Sequence, residues 1–181
     1  MKEISLHILD IMQNSIVAGA SLVELEVIED EKEDILKFSI NDNGKGMSQE
    51  MTQAVENPFT TSRTTRKVGM GIPLLKNAAE NTGGCIELKS EEGVGTYIAA
   101  TFGYSSIDRQ PLGNMAETIL GIVTSYNDVD FVYKHRVNGA EYSLDTRELK
   151  EILGDVSFTQ PDVMLWLRDY LNENEAELYA K

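Results

Sequence analysis

Residues 22–47 constrain this chain more than any other stretch. In LVELEVIE (22–29) apolar and acidic residues alternate, the period-2 mark of a half-buried strand. The charged run EDEKED (29–34) reads as a solvated hairpin tip, and ILKFSI (35–40) as the returning strand. That strand runs straight into DNGKGM (42–47), where an acid, two glycines and a methionine follow one another. Such a stretch is either a loop between two elements or the floor of a pocket. Glycines suit the second because they let a flat ring approach the backbone.

The flanking segments set the organisation. Residues 4–19 read as a helix with Ile8, Ile11, Met12 and Ile16 on its apolar face, ended by AGAS. From Ser48 to Val68 the periodicity loosens, as in a binding loop or lid. IPLLKNAAENTGG (72–84) reads as a helix with Pro73 in its first turn and Gly83 and Gly84 as its stop. Strands follow at 85–90 and 96–102, joined by EEGVG. Beyond them, a helix at 113–126, a hairpin at 130–145 turning on NG, and helices at 146–153 and 161–178 read as an αβ extension. The expected division is 1–104 and 105–181, the second part of unassigned role.

Composition narrows the function classes. The net charge of −14 argues against nucleic acid or an anionic membrane as partner. No apolar run is long enough to span a bilayer, MKEISLHILD is not a leader, and a single cysteine forms no internal disulfide; the expected location is cytoplasmic. One stretch reverses the sign: RTTRK (63–67) carries three cations and no acid, which suits a small anionic ligand.

Four short patterns carry the candidate chemistry. Asp10 and Asn14 are four apart and share a helix face. They are either a solvated stripe or a carboxylate and an amide oxygen aimed into a site, where Asn14 would ligate Mg²⁺ and Asp10 would orient or deprotonate a nucleophile. In DNGKGM, Asp42 is placed to accept from an exocyclic amine. GMGI (69–72) opens a helix whose free N–H groups can face an anion, and GVGT (93–96) leads into a strand. Taken singly, these are a flexible loop end and a hairpin turn.

In this order and spacing, LDIMQNSIVAGAS (9–21), DNGKGM (42–47), PFTTSRTTRKVGMGIPL (58–74) and GVGT (93–96) resemble the GHKL ATPase superfamily over about residues 4–104. That group includes DNA gyrase B, the heat-shock ninety chaperone, histidine kinases and MutL. The resemblance implies the Bergerat fold, an α/β two-layer sandwich whose mixed sheet is covered on one face by helices. It implies ATP and Mg²⁺ as ligands. Asp42 matches the adenine-binding acid, Gly46 the close-approach glycine, with Gly44 beside it in the same loop, and Met47 a packing residue. Asn14 matches the Mg²⁺ ligand and Asp10 the base, one methylene shorter than the glutamate common in the hydrolases. Thr96 matches the threonine that reaches adenine. Thr61, Ser62, Gly69, Met70, Gly71 and Ile72 fall in the lid and its helix. Arg63 matches a lid cation near the γ-phosphate, and Lys67 is a further cation there.

The first helix looks like that of MutL, whereas the lid looks like that of histidine kinases. Three functions stay open: a stand-alone kinase-like domain acting on a separate partner protein, an ATP-gated switch with slow hydrolysis, and a regulatory module that only binds ATP. The extension would be a partner surface or a homodimer contact. Outside the motifs, His7 reads as a partly buried helix residue, His135 as an ordinary strand residue, and Cys85 as a buried small residue. Trp166 reads as part of a core-facing stripe with Val163, Leu167 and Tyr170, and NENEAE (172–177) as a solvated helix face.

Overall fold

The computed structural model describes residues 2–56 and 71–180. Helix α1 (Ile4–Val17) precedes the hairpin β1 (Leu22–Asp30) and β2 (Ile35–Asp42). Helices α2 (Gln49–Glu56) and α3 (Gly71–Glu80) follow, then β3 (Cys85–Glu91) and β4 (Gly95–Gly103). The remainder is α4 (Met115–Ser125), β5 (Asp130–Val137), β6 (Ala140–Asp145), α5 (Thr146–Leu153) and α6 (Pro161–Leu178).

The six strands form one mixed sheet in the order β3-β4-β2-β1-β5-β6, in which β5 runs parallel to β1 and the other pairs are antiparallel. The alternation expected of β1 is realised: Val23, Leu25 and Val27 are buried and the residues between them only partly so. Register carries that buried side across the sheet. Val27 lies opposite Phe38 and Phe38 opposite Ala100, while Leu25 pairs with Tyr133 of β5. The helices cover this one face, with Ile4, Ile8, Ile11 and Met12 of α1 and Ile119, Leu120 and Val123 of α4 in the same core. The opposite face is polar, with Arg136 bridging to Glu141 at 2.9 Å and Asn41 donating to Glu24 at 3.2 Å.

Local signals end the elements as their chemistry requires. The NG turn places Asn138 at φ 48° and Gly139 at φ 90°, both left-handed, as a tight two-residue hairpin needs. Asn114 and Asp145 cap α4 and α5 by accepting from the backbone N–H groups of Glu117 and Arg147.

Four expectations need correction. Residues 49–56, expected within a loosely structured stretch, form α2. Ser48 Oγ accepts from the Met51 N–H at 3.2 Å, and only Ala54 and Val55 are buried, too few to show as a period. Cys85 is exposed, because the outward positions of β3 face solvent. Trp166 is 51% exposed and stacks on Tyr170 with ring centroids 5.4 Å apart, while Leu167 takes the core position. Glu29 and Glu175, expected among solvated acids, both hydrogen-bond to His135, which is itself fully buried.

Candidate functional site

A cavity of about 390 Å³ opens between α1, the 43–47 loop and the ends of β3 and β4. Asn14, Asp42, Gly46, Met47, Ile72 and Thr96, all expected in the site, line it. The structure adds a largely apolar wall of Ile11, Val17, Met51, Leu88 and Ile98, together with Ser15 and Lys45. A largely aliphatic lining with one acid suits an apolar heterocycle bearing an amine.

Asp42 is the last residue of β2 and is only 9% exposed. Its carboxylate is held on both oxygens. Ser15 Oγ donates to Oδ2 at 2.6 Å and the Gly44 N–H donates to Oδ1 at 2.9 Å. An ionised carboxylate accepts about four hydrogen bonds, so acceptor capacity remains for a ligand N–H. Ser15 follows Asn14 on α1, which ties the acid to the helix bearing the Asp10–Asn14 stripe. Sequence reasoning assigned Ser15 no role. Its signal was a hydroxyl four residues after Ile11 on the buried side of the helix, indistinguishable there from a serine that only bonds its own backbone. For the nucleotide that the resemblance implies, Ser15→Ala should weaken binding about tenfold, roughly the ~1 kcal/mol of one hydrogen bond. Isothermal titration calorimetry against ATP checks this, and unchanged affinity would remove Ser15 from the site.

Thr96 lies directly opposite Asp42 across the β2–β4 ladder, so both side chains share one face. Its Oγ1 is 2.8 Å from Ser90 Oγ, which also accepts the Met47 N–H at 2.8 Å. The acid, the threonine and the loop backbone are therefore one hydrogen-bonded unit. Two glycines make this approach sterically feasible. A Cβ on Gly46, at φ 67°, would stand 2.0 Å from Glu91 O, and one on Gly95, at φ 148°, would stand 1.9 Å from Asp42 O. The 43–47 loop is seated by Lys45 N–H to Ala18 O at 2.9 Å and Gly93 N–H to Lys45 O at 2.7 Å. Gly44 is buried beside Ala18 O.

Asp10 sits four residues before Asn14, one helical turn away, and lies against the start of α3: a Cβ on Gly71 would come within 2.2 Å of its Oδ2. Gly71 thus leaves room for that carboxylate. His7 is buried, with Nε2 3.2 Å from Gln110 Oε1. Burial holds its pKa below the usual imidazole value. Thr61, Ser62, Arg63, Lys67, Gly69 and Met70 lie outside the described residues.

Fold and cavity together define a protein class. A family model described as histidine kinase-, DNA gyrase B-, and HSP90-like ATPase matches residues 2–105. The chain belongs to that family. The "Non-motile and phage-resistance protein" of Caulobacter vibrioides is 31% identical to it over 103 residues, 52% of this chain and 12% of that protein. Sensor histidine kinase ZraS of Escherichia coli is 28% identical over 78 residues, 43% of this chain and 17% of the kinase. The matched part of the chain thus spans less than a fifth of these relatives' length. A crystal structure of the N-terminal domain of a DNA repair protein matches the fold with a TM-score of 0.51 at 11% identity, over 99% of this chain and 57% of its own. Among the described residues, no helix is long and apolar enough to cross a membrane.

Proposed function

We propose that the protein binds ATP with Mg²⁺ in this cavity and transfers the γ-phosphoryl group to a side chain of a separate partner protein. The observation that carries the nucleotide assignment is Asp42: a buried acid, fixed on both oxygens, with remaining acceptor capacity at the base of an apolar cavity. Adenine offers the matching donor in its exocyclic amine, and Thr96 flanks the same position. The family membership and the similarity to sensor histidine kinases support ATP as ligand and phosphoryl transfer as chemistry.

The donor set also fits the cation. Asn14 lies on the cavity wall and offers one hard amide oxygen, of the kind Mg²⁺ takes while filling its other positions with waters and phosphate oxygens. When bound, Mg²⁺ would neutralise charge on the phosphates. In this reading Asp10 accepts the proton of the attacking group as that group bonds to the γ-phosphorus, the bond from the γ-phosphorus to the β–γ bridging oxygen breaks and ADP leaves. Gly71 opens α3 against that carboxylate and Ile72 lines the cavity next to it, so the start of α3 and the proposed base meet at one point.

The test is incubation of the purified protein with γ-labelled ATP and a lysate fraction, with free phosphate and labelled protein measured side by side. Label on a protein other than this chain is the expected result. Free phosphate alone would replace transfer by hydrolysis, and neither product would reduce the function to ATP binding. The variant Asp10→Asn separates binding from chemistry. Its ATP affinity should stay within about threefold of the native value, while product formation falls about 10²-fold or more, as for loss of a general base. Equal rates in the two proteins would remove Asp10 from the reaction.

A further inference from the structure

On the same face of the sheet as the cavity, but toward the β5–β6 edge, β5 carries a group of ionisable side chains that nucleotide binding does not use. His135 is fully buried. Its Nε2 is 2.9 Å from Glu29 Oε1 on β1, and its Nδ1 is 2.8 Å from Glu175 Oε2 on α6. A carboxylate only accepts, so each ring nitrogen needs a proton to make its contact. A neutral imidazole has one N–H and would set a lone pair against one carboxylate. The geometry calls for the imidazolium.

Tyrosines complete the cluster. Tyr133 and Tyr142 donate to Glu175 Oε1 at 2.6 and 2.5 Å, and Tyr179 donates to Glu29 Oε1. The titratable groups facing His135 are thus Glu29 from β1, Tyr133 from its own strand, Tyr142 from β6, Glu175 from α6 and Tyr179 just beyond it. Tyr104 and Tyr170 act on the tyrosines from further out.

Helix α6 leans on this cluster. It buries only Leu167, Leu171 and Leu178, and between the last two it reaches the sheet through Glu175. We propose that His135, Glu29 and Glu175 form a proton-operated latch: the imidazolium holds the C-terminal half of α6 and Tyr179 on the sheet, and loss of that one proton releases them. Without the proton, the buried Glu29 and the half-buried Glu175 carboxylates would face each other across a neutral ring. Removing one partner of a buried ion pair is strongly unfavourable.

The pH window follows by linkage. Burial opposes charge on His135, but its bonds to Glu175 and Glu29 outweigh it and raise the pKa from 6.5 to about 9. Once released, the ring regains its ordinary value near 6.5. The latch is therefore complete below about pH 6.5. Its opening rises about tenfold per pH unit between roughly 6.5 and 9, about 300-fold in all, and then levels off. Tyr133, Tyr142 and Tyr179 are pushed up by burial and by the glutamates, out of this window. Burial also raises the Glu175 carboxyl, but the bond to His135 prevails and holds it below its usual range, so it stays ionised.

Hydrogen exchange read by mass spectrometry on peptides covering 172–180, from pH 6 to 10 and corrected for the intrinsic pH dependence, tests the latch on the whole protein. Exchange through opening should rise about 300-fold and plateau, while α4 stays level. His135→Gln, which cannot titrate, should flatten the profile. A level corrected profile in the native protein, or the same rise in His135→Gln, overturns the latch. If that variant does not fold, the ring resonances of His135 in the native protein decide. They should report a charged ring at pH 7.5, and a neutral ring at that pH removes the device.

Discussion

In Asp42→Ala, ATP binding is expected to weaken at least ~100-fold, about 3 kcal/mol by calorimetric titration. The loss has two parts. The ligand amine loses a charged acceptor, and hydrogen bonds to charged groups are worth about 1.5–3 kcal/mol. Ser15 Oγ and the Gly44 N–H also lose their shared partner at a buried position, so the loop that floors the cavity is no longer pinned to α1. Unsatisfied buried donors cost about 1–3 kcal/mol, so the unliganded variant should also melt a few degrees lower. Asp42→Asn keeps the volume but replaces one acceptor oxygen by a donor, and should fall between the two. Micromolar binding by Asp42→Ala would sink the assignment of this cavity to ATP.

The second large effect is steric. Gly95 has φ 148°, and a Cβ there would sit 1.9 Å from the Asp42 carbonyl oxygen, a backbone atom of the neighbouring strand. Gly95→Ala must push β4 from β2 at the point where Thr96 faces Asp42. We expect roughly 3 kcal/mol of lost stability, from the strained backbone and the displaced ladder, and a fall in melting temperature of about 6–12 °C. ATP affinity should fall with it. Gly93 is the control. Its φ is 81°, but nothing lies within 4 Å of an added Cβ, so Gly93→Ala should cost only about 1 kcal/mol. Thermal unfolding of the two variants side by side, followed by circular dichroism, makes the comparison. Equal melting temperatures would mean that β2 and β4 can separate at little cost.

What the sequence by itself determined is local. The period of β1, the NG turn, the span of α6 and the glycine-marked ends were legible because each depends on neighbours a few residues away. The candidate site was legible for the same reason: Asp10 and Asn14 lie one turn apart on one helix, and DNGKGM is contiguous. The four patterns gave away the family through their order, which a chain shows without folding. Helix α2 was hidden because eight residues with two buried side chains carry too little period.

Only the tertiary structure decided which side chains meet. Ser15 is a plain helix serine until β2 brings Asp42 to it from 27 residues away. Gly95 is a turn glycine until its partner strand sets a carbonyl against it. Glu29 and Glu175 look like two more acids in an acidic chain. They enclose His135 because β5 adds parallel to β1 and α6 returns across it, closing contacts over 106 and 40 residues. Burial turned those two carboxylates from solvated charges into partners of a cation, since a buried charge persists only where it is paired.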